Sequence, residues 1–167
     1  LATGGTSTAT PASAQPSTGT AQVATSGFDG VTNLSDADTV LTGANATDRA
    51  GRTVANAGDV NGDGIDDLLV GAPRNDTGGS DAGLAYIVYG PVEPGERSLA
   101  DADVTLVGAA AGDRAGWAVA GSDDVNDDGV DDIVVGAPYN DSVGTEAGAA
   151  YIVYGGDSLP SEMSLND

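Results

Sequence analysis

Asp59-Val-Asn-Gly-Asp-Gly-Ile-Asp-Asp67 returns 65 residues later as Asp124-Val-Asn-Asp-Asp-Gly-Val-Asp-Asp132, and each copy runs straight into an apolar stretch closed by Gly-Ala-Pro, at Pro73 and at Pro138. Outward from these loops the register holds without a gap. Leu41-Thr-Gly-Ala44 lies over Leu106-Val-Gly-Ala109, Asp48-Arg-Ala-Gly51 over Asp113-Arg-Ala-Gly116, and Ala85-Tyr-Ile-Val-Tyr-Gly90 over Ala150-Tyr-Ile-Val-Tyr-Gly155. A match this long is a duplication, and a unit repeated at such a period buries its apolar face only by stacking on a neighbour.

The local signals are extended. Short runs with β-branched or aromatic residues, bounded by Gly, Pro, Asn and Asp, predict strands at 39–43, 52–57, 67–71 and 84–89, then at 104–108, 117–121, 132–136 and 149–154. No window carries the period and caps of a helix. The fold class is therefore all-β, with four antiparallel strands per repeat, the size of a propeller blade. The chain divides into a Thr/Ser/Pro-rich linker or stalk at 1–20, a partial repeat or complementing strand at 21–36, a first repeat at 37–101, and a second at 102–167 that ends with the start of a further unit. The ends read as cut from a longer series or as built to meet another copy. The polar connections 74–82 and 139–147 are solvated turns or binding loops.

Counted from Asp59, oxygen donors fall at positions one, three, five, seven and nine: Asp59, Asn61, Asp63, the Ile65 carbonyl and Asp67, with Gly64 at the sharp turn. The second loop offers Asp124, Asn126, Asp128, the Val130 carbonyl and Asp132 around Gly129. This is calcium-loop spacing, and it predicts two Ca2+ sites. Position twelve, where a helical calcium hand carries a bidentate Glu, is Val70 or Val135. The carboxylates must then come from within nine residues, with Asp67 and Asp132 as the bidentate ligands, while Asp66 and Asp131 face outward or brace the loop. Magnesium, which demands a tight octahedron, suits such a loop less well. The expected role of the metal is structural.

Composition narrows the function. With 26 acidic residues against 5 Arg, no Lys and a net charge of -21, the chain is a poor partner for nucleic acid or an anionic membrane, and no run is long enough for direct membrane insertion. A surface so acidic, over a core of small Ala, Val and Gly, reads as adapted to high salt, which shrinks the reach of repulsion to about 3 Å at molar strength. The chain has no His and no Cys, which removes imidazole acid–base chemistry, thiolate nucleophiles and disulfides, and an enzyme is not expected. Asn33, Asn45, Asn75 and Asn140 head N-glycosylation sequons, consistent with an extracellular or cell-surface location.

The loop joined to Gly-Ala-Pro73 and followed by Ala-Tyr-Ile-Val-Tyr-Gly90 resembles the FG-GAP repeat found in the β-propeller of integrin α subunits and in many microbial surface proteins. The resemblance runs over residues 37–155, about 70% of the chain. The eponymous Phe-Gly stands here as Ala50-Gly51 and Ala115-Gly116. Tyr86, Tyr89, Trp117, Tyr151 and Tyr154 are expected to supply part of the lost core volume. Arg49 and Arg114, at one repeat position, are expected to pair with carboxylates such as Asp48 and Asp113 or to bridge to the neighbouring blade. The resemblance implies two blades, a partial propeller or a self-assembling array, and the acidic composition adds the expectation of a haloarchaeal or other halophilic surface protein. Its expected function is a calcium-binding structural or adhesive one, in a filament, ring or larger propeller. The alternative is a ligand-binding propeller module of a larger surface protein. Partners are further blades, self-association, or a protein or glycan ligand.

Overall fold

The computed structural model describes residues 34–166; the stalk at 1–20, residues 21–33 and thus the sequon at Asn33 lie outside the described residues. Two units divide at Asp36 and Ala37. Of the first, one 3-10 turn, Leu34–Asp36, is described.

The second unit carries β1 (Thr39–Thr42), β2 (Thr53–Gly58), β3 (Asp67–Ala72), β4 (Leu84–Val88), β5 (Gly95–Ser98), β6 (Val104–Val107), β7 (Ala118–Gly121), β8 (Ile133–Ala137), β9 (Ala149–Val153) and β10 (Glu162–Ser164). Eight of these fall on the predicted runs. The other two, β5 and β10, have no apolar alternation, and form because β1 and β6 offer them parallel edges.

Sheet membership departs from the expected four strands of a single repeat. One sheet has the order β10-β6-β4-β3-β2, a second is β7-β8-β9, and β1 pairs with β5. The leading strand of the second repeat, β6, therefore completes the sheet of the first, antiparallel to β4 with Leu84 opposite Val107 and Ile87 opposite Val104. The reason is burial. Every residue of β4 is buried, so its outer edge needs a partner to satisfy its amides and carbonyls, and the apolar β6 supplies one.

The core is made of small aliphatic residues from both repeats, with Leu69, Ile87, Leu106 and Ile133 among its largest fully buried members. A second cluster gathers Val70, Leu84, Tyr86, Val88 and Leu99. Tyr86 is 2% exposed and fills core volume as expected, whereas Tyr154 is 55% exposed and does not. Tyr89 and Tyr151 are half-buried against the first cluster. Trp117 sits edge-on to Tyr139 at 5.9 Å, under the Arg52 guanidinium at 4.7 Å.

The repeats touch backbone to backbone. A Cβ on Gly71 would lie 2.1 Å from the Gly116 carbonyl oxygen, so the close approach of β3 to the second repeat depends on glycine there. The connection 74–82 is a clamp and not a free loop: its Ser80, Asp81 and Ala82 carbonyls accept from Gly112, Arg114 and Ala115 N–H at 2.9–3.1 Å. Arg114 crosses the same junction to Asp81 at 3.8 Å and lies 4.5 Å over the Tyr139 ring, the bridge to the neighbouring repeat foreseen for this position.

Candidate metal centre

Each oxygen-rich loop closes a hairpin, 59–67 between β2 and β3 and 124–132 between β7 and β8. A register shift between Asn56 and Gly58 turns the first strand into its loop. Within the loops the two copies repeat one set of hydrogen bonds. Asp59 accepts from Asp63 and Gly64 N–H at 2.9 and 2.8 Å, Asn61 Oδ1 accepts from Asp63 N–H at 2.9 Å, and Asp63 accepts from Ile65 N–H at 2.9 Å. Asp124, Asn126 and Asp128 do the same for Asp128, Gly129 and Val130 at 2.7–3.0 Å.

The ninth-position carboxylates anchor the hairpins from below. Asp67 is fully buried and takes Val60 N–H at 3.1 Å on one oxygen and Gly90 N–H at 2.9 Å on the other. Asp132, equally buried, takes Val125 at 2.8 Å and Gly155 at 2.9 Å. Burial pushes the Asp67 carboxyl above the ordinary range, and the nearby Asp63 and Asp59 charges add to this, against the two N–H bonds. Asp124 is held below the ordinary range chiefly by the Gly129 N–H, with those of Asp128, Asp127 and Asn126 helping. The side-chain donors are all carboxylate or amide oxygens, the chemistry a hard divalent cation requires. Among the described residues, no three carboxylates converge into a ready-made cage, since the loop oxygens are turned onto the loop's own N–H groups.

Position eight has a role that the spacing left open. Asp131 Oδ2 accepts Asp59 N–H of the other loop at 2.9 Å, and Asp131 N–H donates to the Asp59 carbonyl at 3.2 Å. Asp66 instead accepts from Asn56 Nδ2 within its own repeat at 2.9 Å.

Two polar pins escaped the sequence reading. Asn75 Nδ2 donates to buried Asp48, and Asn140 Nδ2 to buried Asp113, each at 2.6 Å. Recurrence of both partners at the repeat offset was the available signal. Asn75 and Asn140 are 1% and 4% exposed, so their sequons offer no free amide to a glycan, and Asn45 is the exposed sequon asparagine among the described residues. No helix among the described residues is long and apolar enough to cross a membrane.

A duplicated hairpin bearing an oxygen-rich loop and a Gly-Ala-Pro exit defines the class: residues 50–88 and 115–153 each match the FG-GAP repeat, so the chain carries two copies of that repeat. It is distantly homologous to integrin α subunits. It is 42% identical over 86 residues to integrin alpha-IIb of Mus musculus, covering 48% of this chain and 8% of that one. It is 39% identical over 109 residues to integrin alpha-PS2 of Drosophila melanogaster, covering 61% of this chain and 7% of that one. Phosphatidylinositol-glycan-specific phospholipase D of Homo sapiens is 31% identical over 135 residues, 78% of this chain and 15% of the relative. The chain thus spans a small fraction of each of these relatives.

Proposed function

We propose that this chain is a calcium-binding structural or adhesive protein of the cell exterior, whose blades are completed by further blades or copies into a filament, ring or larger propeller. The observation that carries the proposal is the pair of matching loops, where the same oxygens at the same positions meet the same N–H groups in both repeats. Asp59, Asn61, Asp63, the Ile65 carbonyl and Asp67 hold one ion, and Asp124, Asn126, Asp128, the Val130 carbonyl and Asp132 the other. On binding, loop oxygens exchange N–H partners for the cation, which removes the mutual repulsion of three carboxylates per loop and fixes the hairpin. The FG-GAP and integrin-α kinship supports the structural or adhesive role. The activity in the name of the phospholipase stays with that protein.

The charge of -21 further supports a salt-rich working environment. A second reading, a ligand-binding module, draws on the connection 139–147, where residues 141–147 are exposed and Val143 is 85% so. Isothermal titration with Ca2+ tests the main proposal: two ions per chain are expected, with a rise in the unfolding temperature. Absence of binding at millimolar Ca2+ would refute it.

A further inference from the structure

We infer that the two ends of the folded unit are the halves of one interface, so that a second copy of this chain docks head to tail, its β1 adding to the free edge of β9. The inference rests on the stacking of repeats proposed above and names the partner.

The template is the junction inside the chain. There β6 lies along β4, and the 80–83 carbonyls grip the 108–115 amides. Moving each position by the 65-residue repeat sets β1 against β9, with Ala149 opposite Thr42, Ala150 opposite Leu41, Tyr151 opposite Val40 and Ile152 opposite Thr39. Among the described residues, β9 pairs only with β8 and β1 only with β5, so within 34–166 neither has a strand on its other edge. The carbonyls of 145–148 and the N–H groups of Gly43, Thr47, Arg49 and Ala50, equivalents of the gripping groups, enter no backbone hydrogen bond of this kind among the described residues.

The exposed apolar side chains give an independent observation. Val125, Ile152 and Tyr154 are 52%, 56% and 55% exposed on the second repeat, while Val60 and Ile87, equivalents of the first two, are 1% and 0% exposed, and Tyr89, equivalent of the third, is half-buried. On the first repeat Leu68 is 39% exposed, whereas its equivalent Ile133 is 1%. Each face thus carries the residues that the internal junction buries, on the side where the other repeat would cover them. Glu146 stands where Asp81 holds Arg114, and Arg49 is the equivalent of that arginine.

Three positions set the limit of the match: Val143 stands where the internal junction has Gly78, at which a Cβ would lie 2.3 Å from the Gly108 carbonyl oxygen, and the other two lie at the metal-loop end. A Cβ on Gly58 would lie 2.1 Å from Asp131 Oδ2, and one on Gly121 2.7 Å from the Asn56 carbonyl oxygen. In the docked pair these places fall to Asp123 and Asn56. The metal-loop end and the tip of the 139–147 connection therefore close less tightly than the internal junction, and the β9 edge carries the contact. Such a contact is heterologous, and it makes rings or open chains, not a closed two-fold dimer.

The test is complementation by light scattering with calcium present and in about 1 M KCl, where repulsion between subunits is screened beyond about 3 Å. Leu68→Lys spoils one face and Ile152→Lys the other, both at exposed sites. The unaltered chain is expected to exceed the 16.2 kDa monomer mass severalfold, each variant alone to stay monomeric, and their equimolar mixture to double in mass, since one intact face of each remains. A mixture that stays monomeric, or an unaltered chain monomeric at about 1 mM, overturns the inference. Calcium titration of the same samples reads metal binding on its own, so that a failure to dock and a failure to bind the ion are told apart.

Discussion

Replacing Asp67 by Asn separates the two roles of the buried carboxylate. The shape is kept, but an amide has one acceptor oxygen, so Asp67→Asn satisfies either Val60 N–H or Gly90 N–H and turns its own NH2 toward the other. A buried donor left unpaired costs about 1–3 kcal/mol. Burial already penalises the Asp67 charge, and removing that charge returns part of the cost, which leaves a net loss of about 1–2 kcal/mol. For a folded unit of this size the loss lowers the melting temperature by about 3–10 °C in chelator. In calcium at 100 times its Kd, the unaltered loop gains about 2.7 kcal/mol from the ion, and the variant forfeits most of it. Differential scanning calorimetry in chelator and in calcium therefore reads a shift about two to three times larger when the ion is present. An equal shift in both conditions refutes the assignment of Asp67 as a ligand, and no shift in chelator refutes the value placed on its two N–H bonds.

Gly71→Ala drives a Cβ to 2.1 Å from a backbone oxygen across the junction, whereas at the equivalent Gly136 the nearest atom is at 3.5 Å. The first is expected to cost at least about 1–3 kcal/mol in urea unfolding and the second under about 0.5. Burial raises the phenol pKa of Tyr86, Tyr89 and Tyr151, each helped by neighbouring aspartates. The unfolded chain then loses these protons first, so stability falls as pH climbs above about 10, which alkaline melting curves check. Stability that stayed flat there would contradict the assigned burial. Expressed in a glycosylating host, the folded protein is expected to carry glycan at Asn45 and none at Asn75 or Asn140, as read by peptide mass spectrometry.

The loops and the strands beside them were legible because their signals are local: oxygen spacing, Gly at the turn, apolar runs between turn residues. The placement of β6 was not, since Val104–Val107 looks the same whether it completes its own repeat or the one before. The choice is made by the edge of β4 in three dimensions. The burial of Asn75 and Asn140 was not legible for a related reason. Their three-residue pattern is silent about Asp48 and Asp113, 27 positions away, which take the amides into the core. Of the two positions where Phe-Gly is reduced to Ala-Gly, Ala115 is fully buried, and its backbone runs so close to the first repeat that a Cβ on Gly83 would lie 2.2 Å from its carbonyl oxygen.

Asp131 ties the two proposed metal loops together, and this gives the last prediction. It occupies a position with no place among the proposed ligands of its own loop, yet its carboxylate holds the N–H of Asp59, the first donor of the other loop. Neutralising it in Asp131→Asn turns a charge-assisted bond into a neutral one, a loss of about 1 kcal/mol. That energy orders Asp59 for the cation, so calcium affinity at 59–67 falls by about fivefold while 124–132 keeps its own. Placing the change in an Asp132→Asn background isolates the first loop for titration, and an Asp67→Asn background isolates the second. Loss of affinity at 124–132, with 59–67 untouched, would mean that Asp131 serves its own loop and that the repeats do not share their metal chemistry across the junction.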